Sequence, residues 1–341
     1  MAKNILLIAG GDSSEHEISI VSSAYVAEKL RSNSDFYLLS AVLHDGKLQF
    51  ADGAVAYFAL KNNLIVERVD GTQESYKIDC VVPCLHGFPG ETGDLQSMLE
   101  LHDVPYIGCK AEASRNCFNK VTTKMYMDAL SIENTPSTFV SNCDEASLKW
   151  AHDAFSSLGG DVYVKAASQG SSIGCYHVTD KSALDKAIKD ALELSDLALI
   201  EKTIEHRELE VAAFEFKGEL HVTEPGEIFI PDDKFYTYEE KYSTDSHSST
   251  TIEAQDLNPM QREMIKSMAL RAFKGLNLRH LSRIDFFLAS DGKIYLNEIN
   301  TFPGMTPISM FPKLVEHNGF KMSEFFADCI YSAIAKTELL R

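Results

Sequence analysis

Asp285 and Glu298, two carboxylates of the stretch "RIDFFLASDGKIYLNEIN", pose the first chemical question of this chain. The Asp291-Gly292 pair between them is the strongest short hairpin signal. As a two-residue turn it sets Ser290 opposite Lys293 and runs the ladder back in steps of two. Asp285 then faces Glu298 and Arg283 faces Asn300. Strand alternation places these four on one side, with Ile284, Phe286 and Leu288 on the other. Like charges directly opposed across a ladder destabilise it unless something sits between them. A hard cation is the economical filler, and an oxygen-only donor set with few protein groups suits Mg²⁺ shared between carboxylates and a substrate's phosphates. The plain alternative is a solvated strand face with a chance pair of charges.

Partners for an anion stand elsewhere in the chain. "TFPGMTPIS" (301–309) follows the hairpin with a Pro-Gly turn whose N–H groups can meet an anion. Lys120, Lys165 and Lys241 are candidates for phosphate contacts, though each alone reads as an ordinary surface lysine. "VKAASQGSSIG" (164–174) fits a phosphate cradle, a substrate lid, or a strand ending in a flexible turn. Glu201 ends a strand-like run and Glu208 follows it; both can bond a ligand's amine or hydroxyl groups, or stay solvated. Near the N-terminus an apolar run closes on Gly10-Gly11, and Ser14 with Glu17 has the spacing of a capping box. That predicts a helix N-terminus with free backbone N–H groups beside the glycines.

The elements needed to position these residues are legible in outline. A chain of 341 residues has room for two or three domains. Hydrophobic residues at 45% and charged residues at 24% describe a soluble globular protein. With 32 Lys and Arg against 50 Asp and Glu, the formal charge of -18 argues against a nucleic-acid or anionic-membrane surface. The seven cysteines are scattered, and Cys80 and Cys84 lack a second pair at zinc spacing, so they read as reduced, buried thiols of a cytoplasmic protein. No signal peptide and no apolar run of roughly 18 residues is seen, so no membrane association is expected.

Residues 1–110 alternate short apolar runs with helical segments, as a parallel α/β domain does. Residues 111–205 read as an α+β unit: a helix around 115–130, another around Trp150, and strands "VYVKAAS", "GCYHV" and "LALIEKTI". Residues 206–341 carry longer strands, "ELEVAAFEF" and "ELHVTEPGEIF", a helix near 259–275, the hairpin and a terminal helix. The polar stretch 231–251 has the length and composition of a lid.

Taken in order, eight segments resemble the D-alanine:D-alanine ligases of the ATP-grasp fold: "GGDSSEHEIS" (10–19), "HGFPGETGDLQSMLE" (86–100), "VPYIGC" (104–109), "NKVTTK" (119–124), "VKAASQGSSIG" (164–174), "EKTIEHRELEV" (201–211), "FYTYEEKY" (235–242) and "RIDFFLASDGKIYLNEINTFPGMTPIS" (283–309). The resemblance implies an N-terminal Rossmann-like α/β domain followed by two α+β subdomains that sandwich ATP. It implies ligation of two D-alanines through a D-alanyl phosphate, releasing ADP and phosphate, for peptidoglycan. An ATP-grasp ligase for another amino or hydroxy acid, or a non-catalytic nucleotide-binding relative, is the alternative.

Carried over residue by residue, Glu15 would hold the ammonium of the first D-alanine with His86 beside it. Ser171 would link Glu15 to Tyr242. Lys120, Lys165 and Lys241 would contact the phosphates, Glu201, Lys202 and Ile204 the adenine, and Glu208 the ribose. Asp285, Glu298 and Asn300 would bind two Mg²⁺, with Mn²⁺ as a possible substitute. Arg283 and the backbone of Gly304 would stabilise the reacting carbonyl's charge, and Ser309 with Met310 would bind the second D-alanine's carboxylate. Tyr242 favours an amine acceptor over D-lactate, and a cytoplasmic homodimer is expected by resemblance. Three positions depart from the common pattern: Ala166 for proline, Thr92 for aspartate and Met310 for leucine. The first implies a looser loop.

Overall fold

A computed structural model describes residues 2–59, 61–229 and 249–339, with the side chains of the last turn, 337–339, left aside. Lys241, Tyr242 and most of the expected lid, 231–248, lie outside the described residues. Among those described, three sheets succeed one another along the chain.

The first sheet contains β1 (Lys3–Gly10), β2 (Phe36–His44), β3 (Lys47–Gln49), β4 (Val55–Phe58), β5 (Asn63–Glu67), β6 (Gln73–Lys77) and β7 (Cys80–Pro83), in the order 6-5-4-3-2-1-7. Only β2, β1 and β7 run parallel. The near-continuous apolar run of β1 buries both its faces, as parallel strands do. The rest is an antiparallel meander that sequence reading left unassigned, because its strands are short and largely exposed. Helices α1 (His16–Arg31) and α2 (Asp94–Leu101) accompany this sheet.

Helix α1 starts without the expected capping box. Its N-cap is Glu15, with no side-chain cap bond. Nor are the glycine donors free: Gly10 N–H donates to Ser19 Oγ at 2.7 Å and Gly11 N–H to the Leu43 carbonyl at 2.8 Å. Both glycines have φ near +90°, and a Cβ on Gly10 would lie 2.6 Å from the Leu43 carbonyl oxygen, so the tight approach requires glycine.

The expected helix at 115–130 is two, α3 (Ala111–Phe118) and α4 (Lys120–Ala129). Asn119 interrupts them in an extended conformation, and its side chain accepts from Thr122 N–H to cap α4. The second sheet follows: β8 (Ser137–Val140), β9 (Val162–Ala166), β10 (Cys175–Val178) and β11 (Ala198–Lys202), antiparallel in the order 10-9-11-8, with α5 (Glu145–Ser157) and α6 (Leu184–Leu192) packed on it.

The third sheet holds β12 (His206–Phe216), β13 (Glu219–Val222), β14 (Gly226–Phe229), β15 (Ser249–Thr251), β16 (Leu281–Ala289) and β17 (Ile294–Asn300). The run "ELHVTEPGEIF" is therefore two strands, parted at 223–225, where Pro225 has no N–H to give a ladder. Helix α7 (Pro259–Gly275) carries a full capping box between Asn258 and Gln261, with Pro259 in its first turn. Helices α8 (Met310–His317) and α9 (Met322–Leu339) close the chain.

The β16–β17 hairpin pairs Asp285 with Glu298 and Arg283 with Asn300, the register expected from sequence. It gets there by another route. Gly292 N–H donates to the Ala289 carbonyl and Ala289 pairs with Lys293, so the turn has three residues with Gly292 at φ +83°. The register then shifts between Asp285 and Phe286, where Asn297 is the extra residue of a bulge. The two departures offset each other at the carboxylates.

Ile284, Phe286 and Leu288 pack with Ile294, Leu296 and Ile299 against α7. A separate cluster joins Ile5, Leu7 and Val26 of the first unit to Phe214, Phe311, Leu314 and Phe325 of the last. The second sheet keeps a core of its own, including Phe155, Val162, Val164, Ile188 and Ile200.

His280 sits at the joint between the first and third sheets. Its Nδ1 accepts from Gly108 N–H at 3.0 Å, while its backbone N–H donates to Glu215 at 2.9 Å. Burial, with Arg279 and Lys336 nearby, holds its pKa well below the usual histidine value. The unfolded chain takes up a proton as pH falls through ~6.5 and the folded imidazole does not. This residue's contribution is therefore complete above that pH and is lost below it, by about 1.4 kcal/mol per pH unit. Denaturant unfolding between pH 7.5 and 5.5 is expected to show the loss. His280→Asn, which keeps an acceptor and tolerates the φ of +64°, should flatten the slope; an unchanged slope would refute the assignment.

Candidate active site

A cavity of about 360 Å³ opens between the second and third sheets. Strands β9, β10 and β11 line one side, and β12, β16 and β17 the other. Lys120, Lys165, Ser171, Glu201, Lys202, Ile204, Glu208, Arg283, Asp285 and Glu298 all line it. Of the other residues singled out in the sequence, Glu15 reaches its edge through Ser171, and Asn300 through Asp285. His86, Gly304, Ser309 and Met310 do not line this cavity and gather at the adjoining turn after β17.

At the base of the hairpin, the Arg283 guanidinium donates to both oxygens of Asp285, at 2.8 and 2.7 Å, and lies 3.2 Å from Glu210. Burial works against its charge, but Asp285 and Glu210 outweigh it and raise its pKa well above the ordinary value. Asn300 Nδ2 donates to Asp285 at 3.1 Å, and Lys120 Nζ stands 3.9 Å from Glu298. Five carboxylates and four lysine or arginine side chains line the cavity. The bulge lets consecutive residues, Asn297 and Glu298, both face it.

Glu201 is not the solvated glutamate that its sequence context allowed. Buried on β11, it gives Oε2 to Lys165 at 2.5 Å and Oε1 to Lys124 at 2.6 Å. Burial alone would raise its pKa, yet the two ammoniums hold it at about 2. Its carboxylate faces lysines, and Ile204 packs with Phe287 as an apolar wall of the cavity. Lys165 and Glu201 are diagonal neighbours on adjacent strands, since Lys165 pairs with Leu199 and Tyr163 with Glu201.

On the other side, Ser171 Oγ donates to Glu15 Oε1 at 2.6 Å. Ser171 and Ser172 both have positive φ, 50° and 61°, which turns the loop toward Glu15. The loop is tied at its ends. Ala166 N–H donates to the Gly174 carbonyl at 2.8 Å, a bond that proline could not make, so alanine offsets the lost ring rigidity with a hydrogen bond.

Both ring nitrogens of His86 are engaged. Ser22 Oγ, which accepts from Met305 N–H at 3.2 Å, has its proton for Nε2 at 3.0 Å; Nδ1–H then donates to the Phe302 carbonyl at 3.2 Å. Burial lowers the His86 pKa against the pull of Glu15, so the ring is neutral and ties the 302–305 turn to α1. At the start of α8, Ser309 Oγ accepts from Thr306 N–H at 3.0 Å. The Met310 side chain is buried in the core, so only its backbone at the helix N-terminus can meet an anion.

Sequence reading assigned nothing to Lys124, Glu210, Glu91 or Asn297. Glu210 carried a signal: it alternates with the buried Leu209 and Val211 and so shares a face with Glu208. Glu91 Oε2 accepts from Gly87 N–H at 2.8 Å, and burial, with Glu15 nearby, raises its pKa.

The comparisons with known proteins come out in accord with this geometry. Residues 4–109 match the family model "D-ala D-ala ligase N-terminus" and residues 127–331 the model "D-ala D-ala ligase C-terminus". A D-alanine--D-alanine ligase of Vibrio atlanticus is 51% identical over 332 residues, covering 97% of this chain and 99% of that protein. The crystal structure of D-alanyl-alanine synthetase A from Vibrio cholerae superposes with a TM-score of 0.91 at 48% identity, over 98% of this chain and 99% of that one. VanG D-Ala:D-Ser ligase from Enterococcus faecalis superposes with a TM-score of 0.85 at 26% identity, over 98% and 100%.

Proposed function

Because the chain belongs to the D-alanine:D-alanine ligase family, we propose a division of labour among its residues in that family's reaction. It joins two D-alanines into D-alanyl-D-alanine at the expense of ATP, for cell-wall synthesis. A carboxylate is a poor acyl donor, so the γ-phosphoryl group is first transferred to it, which demands positioning and charge neutralisation more than covalent chemistry. Lys120, Lys165 and Lys241 bind the phosphates. Glu15, oriented by Ser171, holds the first substrate's ammonium. The second amine then attacks, and Arg283 with the Gly304 N–H meets the oxyanion. Ser309 and the Met310 N–H hold the second carboxylate, and His86 sets the turn that carries Gly304. The cavity's two walls belong to subdomains 111–205 and 206–341, which grip the nucleotide, with 1–110 supplying Glu15.

The donor set fits Mg²⁺. Asp285 and Glu298 oppose each other directly, Asn300 adds an amide oxygen, and carboxylates outnumber fixed cations in the cavity. Two such ions would neutralise charge on the transferring phosphoryl group. We also place the enzyme in the cytoplasm as a homodimer; no described helix is long and apolar enough to cross a membrane.

The opposed carboxylates sharing one cavity with Lys120, Lys165 and Arg283 carry this reading. Its test is phosphate release from ATP and Mg²⁺ with D-alanine, L-alanine, D-serine or D-lactate. D-Alanine-dependent release is expected, and its absence would refute the reading. The D-Ala:D-Ser ligase shares the fold at 26% identity, so fold alone does not choose the acceptor; 51% identity to a D-alanine--D-alanine ligase favours D-alanine.

Gly170 supplies a further check. A Cβ there would stand 2.8 Å from Glu15 Oε2. Gly170→Ala should push Glu15 off Ser171 and raise the KM for D-alanine about tenfold, the equivalent of ~1.4 kcal/mol, with the melting temperature little changed. An unaltered KM would separate Glu15 from ammonium binding.

A further inference from the structure

Lys124 has no role in the scheme above, yet it is the one buried lysine among the described residues. It does not line the cavity. From α4 its Nζ reaches Glu201 Oε1 at 2.6 Å, donates to the Thr135 carbonyl at 2.9 Å and lies 3.4 Å from Asn134 Oδ1. Those last partners lead directly into β8, which pairs with β11 at Ser137 and Glu201. Lys124 is thus fixed to the frame. Lys165, by contrast, holds the other Glu201 oxygen from the cavity side.

We propose that Lys124 is a positioning residue that keeps Glu201 ionised and in place, so that Lys165 can turn from Glu201 to a nucleotide phosphate. The inference rests on the phosphate-binding role given to Lys165. A polyphosphate in the cavity competes with Glu201 for the Lys165 ammonium. Were Lys165 the only partner, its departure would leave a buried carboxylate without a counter-charge, which is strongly unfavourable. With Lys124 on the opposite oxygen, the carboxylate keeps a cation throughout, and the transfer of Lys165 needs no proton. A merely structural Lys124–Glu201 pair would not couple to ATP in this way.

Calorimetric titration with ATP and Mg²⁺, in two buffers of different ionisation enthalpy, tests the proposal. The unsubstituted enzyme should bind ATP without proton uptake at Glu201. Lys124→Met should bind about tenfold more weakly and take up a proton, so that its affinity falls as pH rises. Lys124→Met combined with Glu201→Gln should bind ATP as Glu201→Gln alone does, because Lys124 acts only through that carboxylate. A double variant about tenfold weaker than Glu201→Gln, or Lys124→Met without proton uptake, would overturn the proposal. Should Lys124→Met fail to fold, the comparison of the double variant with Glu201→Gln still decides, since neither contains a carboxylate at 201. Lys165→Met separates the premises: undiminished ATP affinity there removes the phosphate role of Lys165 itself, whereas a loss there with a weakened double variant removes only the role of Lys124.

Discussion

Glu298→Gln is expected to lose about 10³-fold in kcat while melting within a few degrees of the unsubstituted enzyme. The substitution keeps shape and removes one of two opposed carboxylates. Metal coordination stabilises developing charge by several kcal/mol, and ~1.4 kcal/mol corresponds to tenfold in rate. The fold should tolerate the change, because Glu298 is only partly buried and Lys120 stands 3.9 Å away. An ion pair that loose contributes less than about 1 kcal/mol, and repulsion from Asp285 is relieved at the same time. ADP release at saturating ATP and D-alanine, followed against Mg²⁺ concentration and paired with a thermal melt, checks both halves. A collapsed melt with normal specific activity in the folded fraction would make this strand face structural.

Arg283→Lys should also cost about 10²–10³-fold in kcat, by a different route. Lysine keeps the charge but not the fork that spans both oxygens of Asp285 while lying 3.2 Å from Glu210. The charge is then aimed wrongly at the oxyanion. The KM for ATP should change little, because the loss falls on the transition state. Arg283→Ala goes further and removes the cation that Asp285 and Glu210 share, with an expected destabilisation of about 3–5 kcal/mol. Equal kcat values for the lysine variant and the parent enzyme would remove Arg283 from the chemistry.

The hairpin illustrates what sequence can and cannot deliver here. Asp291-Gly292 announces the turn and period-two alternation sorts the faces, so the pairing of Asp285 with Glu298 is legible. The turn length and the Asn297 bulge are not, since both depend on how β17 must bend against its neighbours, and the register survives because the two departures offset. The Glu201 clamp was invisible for a different reason. A buried lysine has the same letter as a surface one, and Lys124, Lys165 and Glu201 meet only when a helix and two strands converge. The meander at 47–77 was missed because its strands bury few residues and give little periodic signal. His86 presents the converse: its segment stands out in sequence, but its occupation by Ser22 and the Phe302 carbonyl is a tertiary fact.

The distribution of cores bears on how the protein comes apart. Ile5, Leu7 and Val26 share one cluster with Phe214, Phe311 and Phe325, so the two ends of the chain lose their packing together. The second sheet encloses its own cluster, drawn entirely from residues 140–200. It is therefore a candidate foldon, able to open while the terminal units remain closed. Amide hydrogen exchange under native conditions should release β9 and β11 at a lower denaturant concentration than β1 and β12. ATP, proposed above to be gripped by both walls of the cavity, should merge the two transitions.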